Sequence, residues 1–202
     1  MERFKEVIRS EGLSGVIKRG KSRVYKTFYI LKAEITTMLE NTIENENFVC
    51  RVIDEAEIEK IAEDYPEEFD ERKKSIFLKR IKDPQHRGIV VQYKNDICGY
   101  LWSSIGSLEE EESGYQRKLQ KNEMYLYDLY TFKKYRRQGV ADTAFHHEMR
   151  FYKNRGYQYA LDLVDESNKP SMSAMNKMGF SRIGKVYFKN WNGKKYNKVV
   201  ER

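Results

Sequence analysis

A loop with the sequence Arg136-Arg137-Gln138-Gly139-Val140-Ala141 joins a predicted strand to a predicted helix. A helix start exposes unpaired backbone N–H groups and the positive end of the helix dipole, and both attract phosphate oxygens. Gly139 and Ala141 let the backbone approach an anion closely, while Arg136 can add charge-assisted hydrogen bonds. The loop alone predicts an anion site. A glycine needed only for close helix–sheet packing is the alternative.

The chain around this loop alternates strands and helices. The strand before the loop ends in a run of aromatic and β-branched residues, and the helix after it is closed by Arg155-Gly156. One more strand–helix step and a hairpin with an Asn-Gly turn follow. The predicted strands are 125–132, 157–164, 180–189 and 195–200, and the predicted helices are 137–154 and 171–178.

The first half of the chain predicts further strands and two helices. A polar segment at 107–122, which includes Glu109 to Glu112, is expected to be a loop that either faces the substrate or is solvated. No linker divides the pattern, so it indicates a mixed α/β sheet flanked by helices. The predicted strands are 27–35, 48–53, 88–93 and 97–104, and the predicted helices are 55–65 and a second one ending near 82.

Positive charge is concentrated at the N-terminus. The chain of 202 residues has a formal net charge of +7, and residues 1–33 hold nine basic and three acidic residues. A nucleic-acid-binding domain would spread such an excess over the fold, so we predict no nucleic-acid partner. We assign 1–46 to a basic N-terminal extension of helices plus a strand, and 47–202 to the main domain. Residues 1–26 are predicted to form two short helices, which either touch a membrane surface or an acidic partner, or pack on the domain.

The composition argues against several other classes of protein. Cys50 and Cys98 form no CxxC pair and have no metal-ligand spacing with the three histidines, so neither a disulfide framework nor a metal site is predicted. No run approaches the roughly 18 apolar residues of a transmembrane segment, and no signal peptide is recognised. A soluble cytoplasmic protein is the resulting expectation.

Three motifs together resemble the GNAT superfamily of acyl-CoA N-acetyltransferases. The loop at 136–141 matches its pyrophosphate motif, Arg/Gln-x-x-Gly-x-Gly/Ala. Residues 125–131 are similar to its splayed central strand, and residues 168–180 are similar to its second cofactor motif, ending in Lys-Met-Gly-Phe. The resemblance covers roughly residues 48 to 200. It implies a GNAT-like, mostly antiparallel central sheet with a splay between the fourth and fifth core strands.

The resemblance also implies which residues hold acetyl-CoA as the co-substrate. Backbone N–H groups of the loop would bind the pyrophosphate. The strand before the loop would lie against the pantetheine arm and the acyl carbonyl, and Asn168 would contact the arm near the substrate. The residues expected to bind the co-substrate are Leu129, Tyr130, Thr131, Arg136, Arg137, Gln138, Gly139, Val140, Ala141, Asn168 and Ser171.

The catalytic chemistry depends on Asp128 and Met175. Amide formation from a thioester needs a neutral amine, a polarised carbonyl and a proton for the leaving thiolate. Asp128 matches a position where several members of the family carry an acidic residue, so it is a candidate general base or amine binder, with a structural ion pair as the alternative. Many members have a tyrosine at the position of Met175, which cannot donate a proton. Ser173, one of the tyrosines or water would then protonate the thiolate.

The resemblance therefore predicts an N-acetyltransferase that moves an acetyl group from acetyl-CoA to a primary amine by direct attack. A small-molecule acceptor, such as an amino sugar, an amino acid or a polyamine, is favoured. The alternatives are a protein N-acetyltransferase and a catalytically weak module that binds acyl-CoA or a partner. A homodimer is left open.

Overall fold

The computed structural model describes residues 25–110, 112–191 and 194–201. The two helices predicted for 1–26 lie outside the described residues, apart from the last two positions, which begin a strand. The described strands are β1 (Tyr25–Glu34), β2 (Val49–Val52), β3 (His86–Tyr93), β4 (Asp96–Ser104), β5 (Ser107–Glu110), β6 (Tyr115–Lys118), β7 (Glu123–Thr131), β8 (Tyr159–Asp165), β9 (Ser181–Trp191) and β10 (Lys194–Glu201). The described helices are α1 (Ile35–Asn41), α2 (Glu55–Asp64), α3 (Glu71–Arg80), α4 (Val140–Lys153) and α5 (Lys169–Lys177), with a short 3-10 helix at Lys133–Tyr135.

Eight of these strands form one sheet in the order β10-β9-β1-β8-β7-β4-β3-β2. Neighbouring strands are antiparallel except β7 and β8, the fourth and fifth strands from β2, which run parallel. Their pairing joins residues 123–125 to residues 159–161 only, and the rest of the two strands is separated by a gap. The predicted mixed, mostly antiparallel sheet with a splay between its central strands is therefore confirmed.

The strand assigned to the N-terminal extension lies inside this sheet. β1 pairs with β8 on one side and with β9 on the other. Phe28 and Ile30 are buried in one core cluster, whereas Tyr29 and Leu31 are buried in the other. A strand buried on both faces reads as a nearly continuous apolar run, as this one does. The strand is confirmed, and the domain boundary at residue 46 stays a prediction.

The polar segment at 107–122 contains two strands, so its prediction as a loop is wrong. β5 and β6 form a hairpin. Leu108 and Tyr115 of this hairpin share a buried cluster with Phe28 of β1 and Leu161 of β8. The run of glutamates in this segment masks the few apolar positions, and for that reason the hydrophobic pattern did not reveal the strands.

Helices lie on both faces of the sheet next to the gap. Phe77 of α3 packs edge-on against Trp102 of β4, with 4.8 Å between ring centroids. The neighbouring Leu101 points to the opposite face, because side chains alternate along a strand. There it lines the same pocket as Phe145 of α4. The gap between β7 and β8 is thus flanked by α3 on one face and by α4 on the other.

Candidate active site

A β-bulge in β7 accompanies the gap. The register of β7 against β4 shifts between Tyr127 and Tyr130, so Asp128 and Leu129 together face Leu101. Asp128 has a φ of 51°, in the left-handed region that residues other than glycine rarely adopt. A bulge bends its strand and increases its twist, and bulges are common beside active sites. Here the bulge lies in the part of β7 that no longer pairs with β8.

The gap holds a cleft of about 220 Å³. Leu129 of β7, Asn168 and Ser171, three predicted co-substrate positions from two parts of the chain, line it together. Asp128 lines it as well, so the structure brings the acid–base candidate to the same cleft. The other lining residues are Leu101, Tyr127, Phe145, Asp162, Leu163, Val164, Asp165 and Met175.

The start of α4 presents a row of unpaired backbone donors. Arg137 and Gly139 have φ values of 63° and 86°, and the helix begins at Val140. In the described part of the chain, the backbone N–H groups of 137–142 form no hydrogen bond of normal length and angle. Successive free N–H groups at the positive end of a helix make an anion-binding concavity. The space in front of Gly139 is open, because a Cβ there would meet Asn45 at 3.8 Å and no closer described atom.

Arg136 is tied to the end of β7. Its Nε donates a hydrogen bond to the carbonyl of Thr131 at 3.2 Å, and its guanidinium lies 5.7 Å from the centre of the Tyr130 ring. The hydroxyl of Tyr130 donates to Glu68 at 2.6 Å. Tyr130 and Thr131 are not among the residues that line the cleft. In the structure they anchor the loop that precedes α4.

Asn168 forms the N-cap of α5. Its Oδ1 accepts a hydrogen bond from the N–H of Ser171 at 3.2 Å. An N-cap of this kind typically stabilises a helix by about 1 kcal/mol. It also fixes the positions of Asn168 and Ser171 beside the cleft, across from the bulge in β7.

Asp128 is paired with two cations from α3. Nη1 of Arg80 lies 2.7 Å from one carboxylate oxygen, and Nζ of Lys73 lies 3.9 Å from the other. Lys73 also donates a hydrogen bond to the hydroxyl of Tyr100 at 2.7 Å. The ion pair that the sequence left open as an alternative is therefore present, in a residue that also lines the cleft.

A second carboxyl group in the cleft, Asp162 of β8, was not predicted from the sequence. Burial raises its pKa to about 7, and a hydrogen bond from the backbone N–H of Leu163 offsets this only in part. Buried carboxylates are costly unless they are paired, and strongly perturbed groups in clefts are functional candidates. The available signal was one acidic residue inside an otherwise apolar strand, Ala160-Leu161-Asp162-Leu163-Val164.

Tyr127 links the cleft to His86. The Tyr127 hydroxyl and Nδ1 of His86 are 2.6 Å apart, and Asp83 lies 3.7 Å from the other ring nitrogen. Burial lowers the pKa of His86, with the Arg80 charge adding to the effect. Burial also holds the pKa of Tyr127 well above its usual range. Tyr127 therefore remains a protonated hydroxyl at the cleft wall near neutral pH.

Met175 and Ser173 of α5 occupy different surroundings. Met175 is 3% exposed and forms part of the cleft wall. Ser173 is exposed and is not among the residues that line the cleft. The structure therefore adds no contact in favour of Ser173 as a proton donor.

A family model for the acetyltransferase (GNAT) family matches residues 55–180, which include the bulge, the start of α4 and α5. The chain belongs to the GNAT family. The predicted resemblance is confirmed, and the cleft lies within the matched residues. Among the described helices of this GNAT protein, none is long and apolar enough to cross a membrane. The described residues also contain no group of three or more side chains that could hold a metal ion.

Solved structures share the GNAT fold at low sequence identity. A functionally unknown conserved protein from Staphylococcus epidermidis has a TM-score of 0.58 at 8% identity, over 87% of this chain and 65% of that chain. The aminoglycoside acetyltransferase AAC(6′)-Iy with a bisubstrate analogue has a TM-score of 0.53 at 14% identity, over 67% of this chain and 91% of that chain. The ribosomal-protein-S18-alanine N-acetyltransferase from Escherichia coli has a TM-score of 0.50 at 11% identity, over 65% of this chain and 76% of that chain. No curated protein sequence matches the chain.

Proposed function

We propose that this GNAT protein transfers an acetyl group from acetyl-CoA to a primary amine of a small molecule. The observation that carries the proposal is the row of unpaired N–H groups at 137–142 beside the gap between β7 and β8. The row of N–H groups suits a pyrophosphate, and the gap between the strands suits an extended pantetheine arm. AAC(6′)-Iy, which shares the fold, has been solved in complex with CoA, and this supports the choice of donor.

The proposed co-substrate site combines the loop, β7 and α5. The N–H groups of Arg137 through Ala141 would hold the pyrophosphate, and the positive side chains of Arg136 and Arg137 would add charge. Main-chain groups near the bulge would accompany the arm. When bound, acetyl-CoA supplies an activated acyl carbonyl. The proposed residues are Leu129, Tyr130, Thr131, Arg136, Arg137, Gln138, Gly139, Val140, Ala141, Asn168 and Ser171.

We assign removal of the amine proton to Asp162. A general base works best when its pKa lies near the operating pH, and burial raises the pKa of Asp162 to about 7. Asp128 differs because its carboxylate is already paired with Arg80 and Lys73. When two carboxyl groups of one site have different surroundings, they divide the acid–base work between them. In this proposal Asp162 takes the proton, and Asp128 orients the amine.

The same carboxyl group accounts for the position of Met175. As the amine nitrogen bonds to the acyl carbon, its proton passes to Asp162. As the carbon–sulfur bond breaks, the protonated carboxyl returns that proton to the departing sulfur, directly or through water. In this mechanism no proton donor is needed at position 175, so a methionine there is compatible with catalysis. Tyr127, which stays protonated and bonded to His86, is a second proton-bearing group at the same wall.

A catalytically weak module that binds acyl-CoA is the second candidate. The observation that favours it is the nearly complete burial of Met175 in the cleft wall, where the family usually has a proton donor. A protein acceptor, the absence of a nucleic-acid partner, a homodimer and a cytoplasmic location all stay predictions.

Release of free thiol from acetyl-CoA separates these functions. The amine panel contains amino sugars, amino acids, polyamines and a peptide with a free N-terminus. Turnover of a small amine, reduced about a hundredfold or more in Asp162→Asn, is the result we expect. Turnover of the peptide alone would make the acceptor a protein. Tight CoA binding without any turnover would identify the binding module.

A further inference from the structure

The β1–β9–β10 part of the sheet has a face that is both basic and rich in exposed tyrosine. Val186 and Phe188 of β9 are buried on one face of this strand. Because side chains alternate along a strand, the residues between and beside them point to the other face. The same alternation and the strand register extend the face across β1 and β10. We define the basic sheet face by Tyr25, Lys185, Tyr187, Lys189, Lys194, Tyr196 and Lys198.

Rings and cations alternate across the basic sheet face. Tyr25 of β1 pairs with Lys189 of β9, and Lys189 pairs with Tyr196 of β10. In the neighbouring row, Tyr187 pairs with Lys198. Tyr25, Tyr187 and Tyr196 are 54%, 44% and 53% exposed. Nζ of Lys189 lies 5.3 Å from the centre of the Tyr25 ring, so the ammonium group and the ring share one surface.

The basic sheet face continues into a shallow depression of about 430 Å³. Arg182 and Lys185 line it together with Tyr187 and Val200, and Val200 is itself 46% exposed. In the described part of the chain, the acidic side chain in contact with Lys185 is Glu166, at 3.9 Å. Cations and exposed apolar groups therefore dominate this surface.

Basic residues are concentrated in two parts of the sequence. Residues 181–201 hold six basic residues and one acidic residue, and residues 1–24 hold seven basic and three acidic residues. In residues 25–180, acidic residues outnumber basic ones. Residues 1–24 join the described fold at Tyr25, which is itself part of the basic sheet face. The second basic stretch contains the lysines of the basic sheet face, and the first precedes Tyr25 in the sequence.

We propose that the basic sheet face docks on an anionic membrane surface. Lysine side chains can lay their methylene stems on apolar surface and keep the ammonium group among lipid headgroups. Tyrosine is enriched at membrane–water interfaces for a related reason, since its ring is apolar and its hydroxyl is polar. This docking is independent of the proposed acetyl transfer.

A lipid surface fits the basic sheet face better than a nucleic acid or a second copy of the chain does. The basic residues 1–24 are interspersed with Phe4, Val7, Ile8, Val16 and Ile17, a composition typical of interfacial segments. The exposed Val200 beside the lysines also suits lipid more than phosphate and bases. A second copy would bring like charges together across the contact, which is unfavourable.

Sedimentation with vesicles tests the proposal on the full chain. The vesicles are phosphatidylcholine alone, or phosphatidylcholine with about one third phosphatidylserine. The variant K189Q/K194Q/K198Q removes three charges from β9 and β10. The matched control K79Q/K82Q/K121Q removes three exposed charges elsewhere, and thermal melts verify that both variants are folded. Each lysine near an anionic surface contributes roughly fivefold to binding, so we expect about a hundredfold weaker partitioning for the first variant. For the control, partitioning within about threefold of the wild type is expected.

Three results would overturn the proposal. One is an absence of binding to the anionic vesicles. Another is an equal loss of binding in the two variants. The third is that K189Q/K194Q/K198Q leaves vesicle binding unchanged but abolishes a different interaction, which the control variant keeps. That interaction would be either binding to single-stranded poly(U) that is stronger than binding to vesicles, or a concentration-dependent dimer in analytical ultracentrifugation. This last result would assign the face to nucleic acid or to a second copy.

Discussion

At the scale of single residues, the two carboxyl groups of the cleft show how context divides their roles. Asp128 could be singled out from the sequence because several members of the GNAT family carry an acidic residue at the matching position. The ion pair with Arg80 could not be predicted, because it joins α3 to a bulge in β7. Asp162 was missed because its raised pKa arises from burial by the folded chain, and a sequence does not report that environment.

The substitution Asp162→Asn is expected to lower the rate of acetyl transfer by about 10²- to 10⁴-fold, because it removes the proposed general base. CoA affinity should stay within about threefold of the wild type, since Asn retains the shape of the side chain. For the wild type, kcat/KM should rise with pH and level off above pH about 7. A pH–rate profile together with CoA titrations tests this. An unchanged rate in the variant would remove Asp162 from the mechanism.

The same substitution is expected to stabilise the fold at pH 8. In the unfolded chain Asp162 loses its proton near pH 3.8, whereas in the folded chain it does so near pH 7. Between these values the folded state binds more protons, so its stability falls as the pH rises. Asn has no charged form to bury, and we expect a gain of about 1–3 kcal/mol at pH 8 and almost none at pH 3.

Urea denaturation at the two pH values measures that gain. The matched variant is Asp128→Asn, which leaves Arg80 and Lys73 without their carboxylate partner and is expected to lower the free energy of unfolding at pH 8. Equal effects of the two substitutions would contradict the different environments assigned to these carboxyl groups.

At the scale of secondary-structure elements, the eight strands of the main sheet and four of the described helices were predicted, whereas α1 and the β5–β6 hairpin were not. α1 was missed because Ile35, Thr36 and Thr37 are β-branched and disfavour a helix. Burial of Ile35 and Met38 compensates in the folded chain. The β5–β6 hairpin was missed because it has few apolar positions, and these are buried only by packing against the main sheet. Tertiary packing decided both cases.

The substitution Leu108→Ala tests the packing of the β5–β6 hairpin. Leu108 is fully buried among residues of β1 and β8, so its truncation should cost about 2–4 kcal/mol of unfolding free energy. Leu78→Ala in α3, at a partly buried position, is the matched control and should cost less than half as much. Urea denaturation reports both values. A cost for Leu108→Ala below about 1 kcal/mol would mean that the hairpin does not pack on the sheet.

At the scale of the whole molecule, the order of strands could not be predicted from the sequence. The resemblance gave the fold class and the gap, but the insertion of β1 between β8 and β9 depends on pairing across more than a hundred residues. That insertion also places Tyr25 of β1 beside Lys189 of β9. The concentration of charge in 1–33 was visible in the sequence, whereas the pairing of β1 with β9 was not.

Truncation tests the interior position of β1. A chain that begins at Tyr25 keeps β1 and is expected to unfold cooperatively. A chain that begins at Ile35 lacks a strand that pairs on both sides and buries Phe28, Ile30 and Leu31. We expect that chain to be unfolded, because the loss exceeds the usual 5–15 kcal/mol stability of a domain. Circular dichroism with thermal melts distinguishes them, and cooperative melting of the shorter chain would contradict the sheet order.

The most direct measurement of the proposed co-substrate site is CoA binding to two glycine variants by calorimetry. Gly139 and Gly156 both have positive φ, 86° and 84°, and neither has a close neighbour, so aspartate strains both positions alike. Only Gly139→Asp places a negative charge among the open N–H groups at the start of α4. We predict that Gly139→Asp weakens CoA binding by at least about a hundredfold, while Gly156→Asp binds as the wild type does. Equal affinity in a folded Gly139→Asp protein would contradict the account.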